Sequence, residues 1–155
     1  TEYGKQKFDA EKMLLKLGSL ISIVRITKII NLQHRLINSW VRSLKRKEFI
    51  YPFGDMFLAP IHTSTLADNL LIIAKKKVGG LMHLSSDIDI TYKIAKFIGT
   101  SENLIKTISL KDKDYNPKFI NRHTTLKINS FVNQLGIKPV TVVETVLQLE
   151  KEYNK

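Results

Sequence analysis

The chain has no cysteine. That excludes a disulfide framework, a thiol nucleophile and a zinc–thiolate site. Its seven glycines are scattered, at Gly4, Gly18, Gly54, Gly79, Gly80, Gly99 and Gly136. No arrangement of them gives the G-x-G-x-x-G or G-x-x-G-x-x-G turn that lets a dinucleotide pyrophosphate approach backbone N–H groups at a helix N-terminus. Long apolar runs are also missing. The longest, Leu70 to Ala74, falls far below the ~20 residues of a membrane span, and the opening Thr-Glu-Tyr-Gly-Lys has no signal-peptide character. A cytoplasmic location is expected. Arginine is scarce, with 5 of the 25 basic residues against 20 lysines.

What is present describes one soluble domain of 155 residues, 43% hydrophobic and 25% charged, with a net charge of +11. The charge is uneven: residues 1–50 hold 11 basic and 4 acidic side chains, the remainder 14 and 10. Such a balance suits an anionic partner or a solvated lysine-rich surface. With so few arginines, the bidentate base contacts typical of nucleic-acid readers have little to work with. The four histidines, His34, His62, His83 and His123, show no i, i+4 pairing, so no metal site is expected.

The periodicity predicts an α/β chain. Tyr3 to Leu17 reads as an amphipathic helix followed by Gly18, and Leu20 to Ile26 as a strand buried on both faces, the kind found in parallel sheets. Loss of sheet neighbours would leave Ile21, Ile23, Val24 and Ile26 to be covered by another chain or by self-association. Leu32, Leu36, Ile37, Trp40, Val41 and Leu44 form a helical stripe, backed by Arg35, Arg42, Lys45, Arg46 and Lys47. Residues 49–53 read as extended, and Met56 to His62 as an ordered loop or edge strand around Pro60. A helix capped by Thr63 or Ser64 runs to Lys75–Lys77, followed by a short strand at Leu81–Leu84. Asp87 or Asp89 is expected to cap a helix through Ile94, Ala95 and Ile98, stopped by Gly99. A short helix is expected over 101–109, a polar loop over 111–125, and a helix from about Ile128 to Gly136. Thr141-x-x-Glu144 reads as a capping box opening a last helix with Val143, Val146 and Leu147 inward.

Tyr3 and Lys7 lie one turn apart on one helix face. A phenol beside an ammonium is a workable proton relay, since the cation favours the phenolate. The pairing recurs at Tyr92 and Lys96, and lysine is so common that spacing alone carries little weight.

Context adds to it. Tyr3-Gly4-Lys5-Gln6-Lys7-Phe8-Asp9-Ala10-Glu11-Lys12, followed by Ile23-Val24-Arg25-Ile26-Thr27, resembles the catalytic helix and next strand of the extended short-chain dehydrogenases/reductases. Phe57-Leu58-Ala59-Pro60-Ile61-His62-Thr63-Ser64-Thr65-Leu66-Ala67 is similar to the loop and helix of their dTDP-4-dehydrorhamnose reductase branch. Gly80-Leu81-Met82-His83-Leu84-Ser85 resembles the following strand, and Leu135-Gly136-Ile137 the closing turn. Two positions depart from that pattern: Thr65 stands where an Asp is frequent, and Lys28 where an aromatic is frequent.

The resemblance implies the C-terminal part of a Rossmann-type parallel-sheet fold plus a small α/β substrate-binding lobe, without the N-terminal Gly-rich half. Residues 1–48 would be the catalytic helix, central strand and following helix. Residues 49–155 would be mainly the substrate lobe, with some elements returning to the Rossmann part. It further implies an oxidoreductase using NAD or NADP to reduce a keto-sugar carried on a nucleotide diphosphate, the isolated chain being inactive. Tyr3 would be the acid/base. Lys7 and Thr27 would meet the cofactor, and Lys28, Asp55, Met56 and Phe57 the substrate. Neither nucleic acid nor membrane is expected as a partner; a homo-oligomer or association through the exposed sheet region is. The alternative, read from charge alone, is a non-catalytic basic module for nucleic acid or another anionic partner.

Overall fold

The structure is a computed structural model and describes residues 1–98, 102–112, 122–127, 135–137 and 140–153. Helix α1 (Glu2–Leu15) is capped by Thr1, whose hydroxyl accepts from the Gly4 N–H at 3.2 Å. Strand β1 (Ser22–Ile26) follows and pairs in parallel with β5 (Gly80–Leu84), in register from Ser22 opposite Gly80 to Ile26 opposite Leu84. The close start of this pair needs a glycine: a Cβ on Gly79 would lie 1.7 Å from the Ser19 carbonyl oxygen.

The chain then steps into β2 (Ile29–Ile30), parallel to β4 (Ile61–His62), and α2 (Arg35–Lys45). Strand β3 (Phe57–Leu58) runs antiparallel to β6 (Asp89–Ile90). Helices α3 (Thr63–Lys76), α4 (Thr91–Ile98) and α5 (Val142–Tyr153) complete the described elements, with one 3₁₀ turn at Glu102–Leu104. The architecture is α/β, with parallel pairing in both β1–β5 and β2–β4.

Two apolar clusters hold it together. Ile37 and Trp40 of α2 pack with Ile30, Ile50, Leu58, Ile94 and the inner face of α5. Ile61, Leu66, Ile73, Met82 and Leu84 form the second cluster between α3 and β5, with Val24 and Ile26 against it. Ile23 is buried and Ile21 half-buried, so β1 keeps most of its apolar side chains out of water. The exposed apolar surface is one element earlier. No residue of α1 is buried, and Tyr3, Phe8, Met13, Leu14 and Leu15, then Leu17 and Leu20, all face solvent. A polar link holds the helix: Glu11 takes two hydrogen bonds from the Arg25 guanidinium, at 2.9 and 2.6 Å.

Several local expectations are corrected. Helix α3 is capped not by Thr63 or Ser64 but by His62, whose Nδ1 accepts from the Ser64 N–H at 3.2 Å. Asp87 does not serve α4; its carboxylate accepts from the Val142 N–H at the start of α5. Asp89 accepts from the Ile90 N–H at 2.7 Å and pairs with Lys93 at 3.2 Å. The stretch expected as a helix over 101–109 is largely extended beyond its 3₁₀ turn, because Ile105 and Ile108 bridge in parallel to Ile50 and Phe53. In α5 the capping box forms as expected, with Thr141 N–H to Glu144 at 2.8 Å and Glu144 N–H to the Thr141 hydroxyl at 3.0 Å. Val146 faces inward, but Val143 and Leu147 are exposed while Val142, Thr145 and Leu149 are buried. Most of the helix expected from Ile128 to Gly136, the Gly99 expected to stop α4 and most of the polar loop lie outside the described residues.

Candidate functional site

Open α/β sheets place ligands beyond the carboxyl ends of their parallel strands. Here β1 leaves its ladder at Thr27, whose N–H still reaches the Leu84 carbonyl at 3.2 Å. The Thr27 hydroxyl donates to the Ala59 carbonyl at 2.5 Å, and the Lys28 carbonyl accepts from Ile61 N–H at 2.9 Å. These bonds fix the strand end against the Pro60 segment and leave the Lys28 side chain exposed. Lys28 has no carboxylate partner among the described residues.

A cavity of about 310 Å³ opens beside Lys28, within the range of small-ligand sites. Its walls are mostly apolar, from Trp40, Phe53, Met56 and Leu58, with Lys28 and His34 contributing charge and polarity. A shallower groove lined by Lys28, His34, Arg35 and Ser39 shares those two residues. The arrangement suits a ligand with a flat or apolar body and an anionic end.

Of the residues expected at a substrate site, Lys28 and Met56 line this cavity. Met56 is fixed from behind, its carbonyl accepting from both the N–H and the hydroxyl of Thr91 at 2.9 Å. Asp55 and Phe57 flank it and are held elsewhere. The Asp55 carboxylate accepts from Leu110 N–H at 2.9 Å, from the Ser109 hydroxyl at 2.9 Å and from Arg122 at 2.6 Å. The Phe57 ring stacks on His123 at 4.6 Å. Both therefore shape the wall through the loop they anchor. Tyr3 and Lys7 share one face of α1, with the Lys7 ammonium 5.4 Å from the Tyr3 ring centroid; Tyr3 is 70% exposed and neither residue lines the cavity.

The cavity also uses residues that sequence reading placed otherwise. Trp40 was legible only as part of a core stripe, and His34 only as one of four scattered histidines. His34 falls inside the Leu32–Leu44 stripe, and no sequence signal sets it apart. No cluster of three or more His, Cys, Asp or Glu side chains able to hold a metal occurs among the described residues. Nor is any described helix long and apolar enough to cross a membrane.

The loop anchor carries a pH dependence. The Leu110 N–H foremost, opposed in part by desolvation and aided by Ser109 and Arg122, holds the Asp55 carboxyl below its ordinary value. A depressed carboxyl contributes stability that is complete above its unfolded value of about 3.9 and is lost as pH falls through the lower folded value. Urea unfolding of wild type and Asp55→Asn should therefore differ at pH 7 and converge towards pH 3. A difference independent of pH would show that Asp55 contributes through shape alone.

No protein-family model matches the sequence, and no curated protein matches it. Solved structures do. The dTDP-4-dehydrorhamnose reductase of Bacillus anthracis, in complex with NADP, superposes with a TM-score of 0.78 at 18% identity, over 97% of this chain and 55% of that one. A dTDP-4-dehydrorhamnose reductase from Clostridium acetobutylicum gives 0.67 at 16% identity, over 96% and 55%. The UDP-glucose 4-epimerase of Thermotoga maritima, solved with UDP-glucose, gives 0.57 at 12% identity, over 85% and 46%. The chain spans about half the length of these proteins. At such identities what is shared is the fold, and over that half the chain has the fold of the dTDP-4-dehydrorhamnose reductases and the related nucleotide-sugar dehydratases and epimerases.

Proposed function

We propose that this chain is the substrate-binding and catalytic half of an NAD(P)-dependent nucleotide-sugar oxidoreductase that reduces a keto-sugar. The observation that carries the reading is the cavity at the β1 strand end, walled by Lys28 and Met56 in a fold matched at a TM-score of 0.78 by a nucleotide-sugar reductase. Residues 1–48 provide α1, β1 and α2. Residues 49–155 build most of the pocket and return β5 to pair with β1. Tyr3 holds and delivers the proton at the sugar oxygen, with the Lys7 ammonium beside its ring on the same face of α1.

The chain by itself does not fit a dinucleotide. Gly18, Gly80 and Gly136 have positive φ, Gly79 serves a close strand approach, Gly4 lies within α1 and Gly54 sits against Thr107, and the spacing of the seven glycines makes no pyrophosphate-binding turn. Lys7 and the Thr27 segment are the residues that would face the cofactor once a Gly-rich half is supplied. The purified 155-residue chain is accordingly expected to bind a nucleotide sugar and to reduce nothing.

Trp40, the only tryptophan, lines the cavity and reports its occupancy. Titration with UDP-glucose should change its fluorescence, with a salt dependence far shallower than that of nucleic-acid binding. The rival reading, a basic binding module, rests on Arg35 and Arg42 of α2 and Arg46 just past its end, exposed and without carboxylate partners among the described residues. It requires DNA or RNA binding that weakens steeply with salt. Salt-sensitive nucleic-acid binding with no response to UDP-glucose would replace the enzyme reading.

The bare face of α1 has a consequence in solution. A helix apolar on more than one side is ordinarily covered, and β1 pairs only with β5 among the described residues. The isolated chain should self-associate through α1 and the free β1 edge, and Leu14→Lys with Leu17→Lys should shift it to monomer. Sedimentation showing a monomer before substitution would contradict this.

A further inference from the structure

We propose that His34 determines ligand specificity in this cavity, its Nε2–H donating a hydrogen bond to an uncharged oxygen, hydroxyl or carbonyl, of the bound molecule. The inference rests on the cavity being the nucleotide-sugar site and adds a residue and a bond type to it.

Two histidines occupy N-cap positions in this fold, and they behave differently. His62 caps α3 through its Nδ1. His34, at the head of α2 with φ −61° and ψ 124°, makes no side-chain capping bond at all. Its ring instead lies in the cavity wall with Lys28, Leu36 and Trp40. A side chain in a capping position that makes no capping bond is left available for a different use.

The two ring nitrogens are not equivalent. Nδ1 is buried and has no hydrogen-bond partner, while the residue as a whole is only half-buried. A charged imidazolium would place an unpartnered N–H in the buried position, with the Lys28 ammonium nearby. Burial first, and Lys28 second, accordingly hold His34 below the ordinary histidine value. The neutral ring carries a single proton. An orphaned buried N–H is rarer and costlier than an under-satisfied lone pair, so the proton belongs on Nε2. Nε2 is then a donor, and it is uncharged. Lys28 in the cavity wall and Arg35 in the adjoining groove supply the positive charge, so His34 adds selection for an oxygen at a defined place on the ligand body rather than further attraction for an anion.

The test uses UDP-glucose as probe and Trp40 fluorescence as readout, on wild type, His34→Phe and His34→Gln. The phenyl ring keeps the volume and removes the donor; the Gln amide N–H restores a donor near the Nε2 position. His34→Phe should weaken binding about tenfold, as loss of a partner to a buried polar group does, and His34→Gln should recover most of it. Equal affinity in wild type and His34→Phe, or no recovery by His34→Gln, overturns the proposal while leaving the proposed function standing. No binding by folded wild type overturns both. Should His34→Phe not fold, long-range ¹H–¹⁵N NMR of the wild-type imidazole decides: the Nε2–H tautomer near neutral pH, shifting on saturation with UDP-glucose, supports the assignment, and the Nδ1–H tautomer or an unshifted ring overturns it.

Discussion

Trp40→Ala should cost about 3–5 kcal/mol of stability and abolish binding in the cavity. Trp40 is 7% exposed and packs with Ile37, Ile50, Leu58 and Ile94, elements from four different stretches of the chain. Against the roughly 5–15 kcal/mol that holds a domain of this size together, such a loss leaves a marginal fold. The same indole lines the cavity beside Lys28 and Met56, so its removal also joins pocket and void into one enlarged space. Urea unfolding gives the stability change, and calorimetry with UDP-glucose the binding loss. Trp40→Phe should retain most of both. A loss below about 1 kcal/mol, the size of a tolerated volume-conserving swap, would mean that the α2 stripe is not the centre of this core.

Tyr3→Phe makes the opposite prediction, a large kinetic effect with no structural one. Tyr3 is 70% exposed and α1 buries no residue, so removing one oxygen should leave the melting temperature unchanged. In a protein carrying both this chain and a Gly-rich nucleotide-binding half, turnover should fall by ~10²–10⁴, the usual worth of a positioned acid/base. Substrate affinity should hold, because the cavity residues are untouched. Lys7→Met should lower turnover less. Unaltered turnover in Tyr3→Phe would remove α1 from the chemistry.

Much of the fold was legible because local and global preferences agree. The β-branched run at Ser22–Ile26 forms the expected parallel strand, the α2 stripe supplies Ile37 and Trp40 to the core, and Thr141 and Glu144 close their capping box. The failures share a cause. Residues 101–109 have helical spacing, yet Ile105 and Ile108 are drawn out to bridge Ile50 and Phe53, a tertiary demand that no local window contains. Asp87 has the chemistry of a cap for the helix after it, but the helix it serves begins more than fifty residues later. His62 displaced Thr63 and Ser64 as the α3 cap because its backbone is extended where β4 ends.

The site was legible in part and for similar reasons. Lys28, Asp55, Met56 and Phe57 came from resemblance, and the geometry distributes them: Lys28 and Met56 line the cavity, while Asp55 and Phe57 brace the loop behind it. His34 was invisible, because its significance lies in a capping bond that is not made and in a ring nitrogen left without a partner. Neither fact has a sequence signature.

Mapping by NMR where UDP-glucose meets this chain tests the account most directly. Saturation should perturb the amide signals of Lys28, His34, Trp40 and Met56 and leave Arg42 and Arg46, at the end of α2, unmoved. Perturbations confined to the α2 arginines, or none at concentrations well above those of cellular nucleotide sugars, would contradict it.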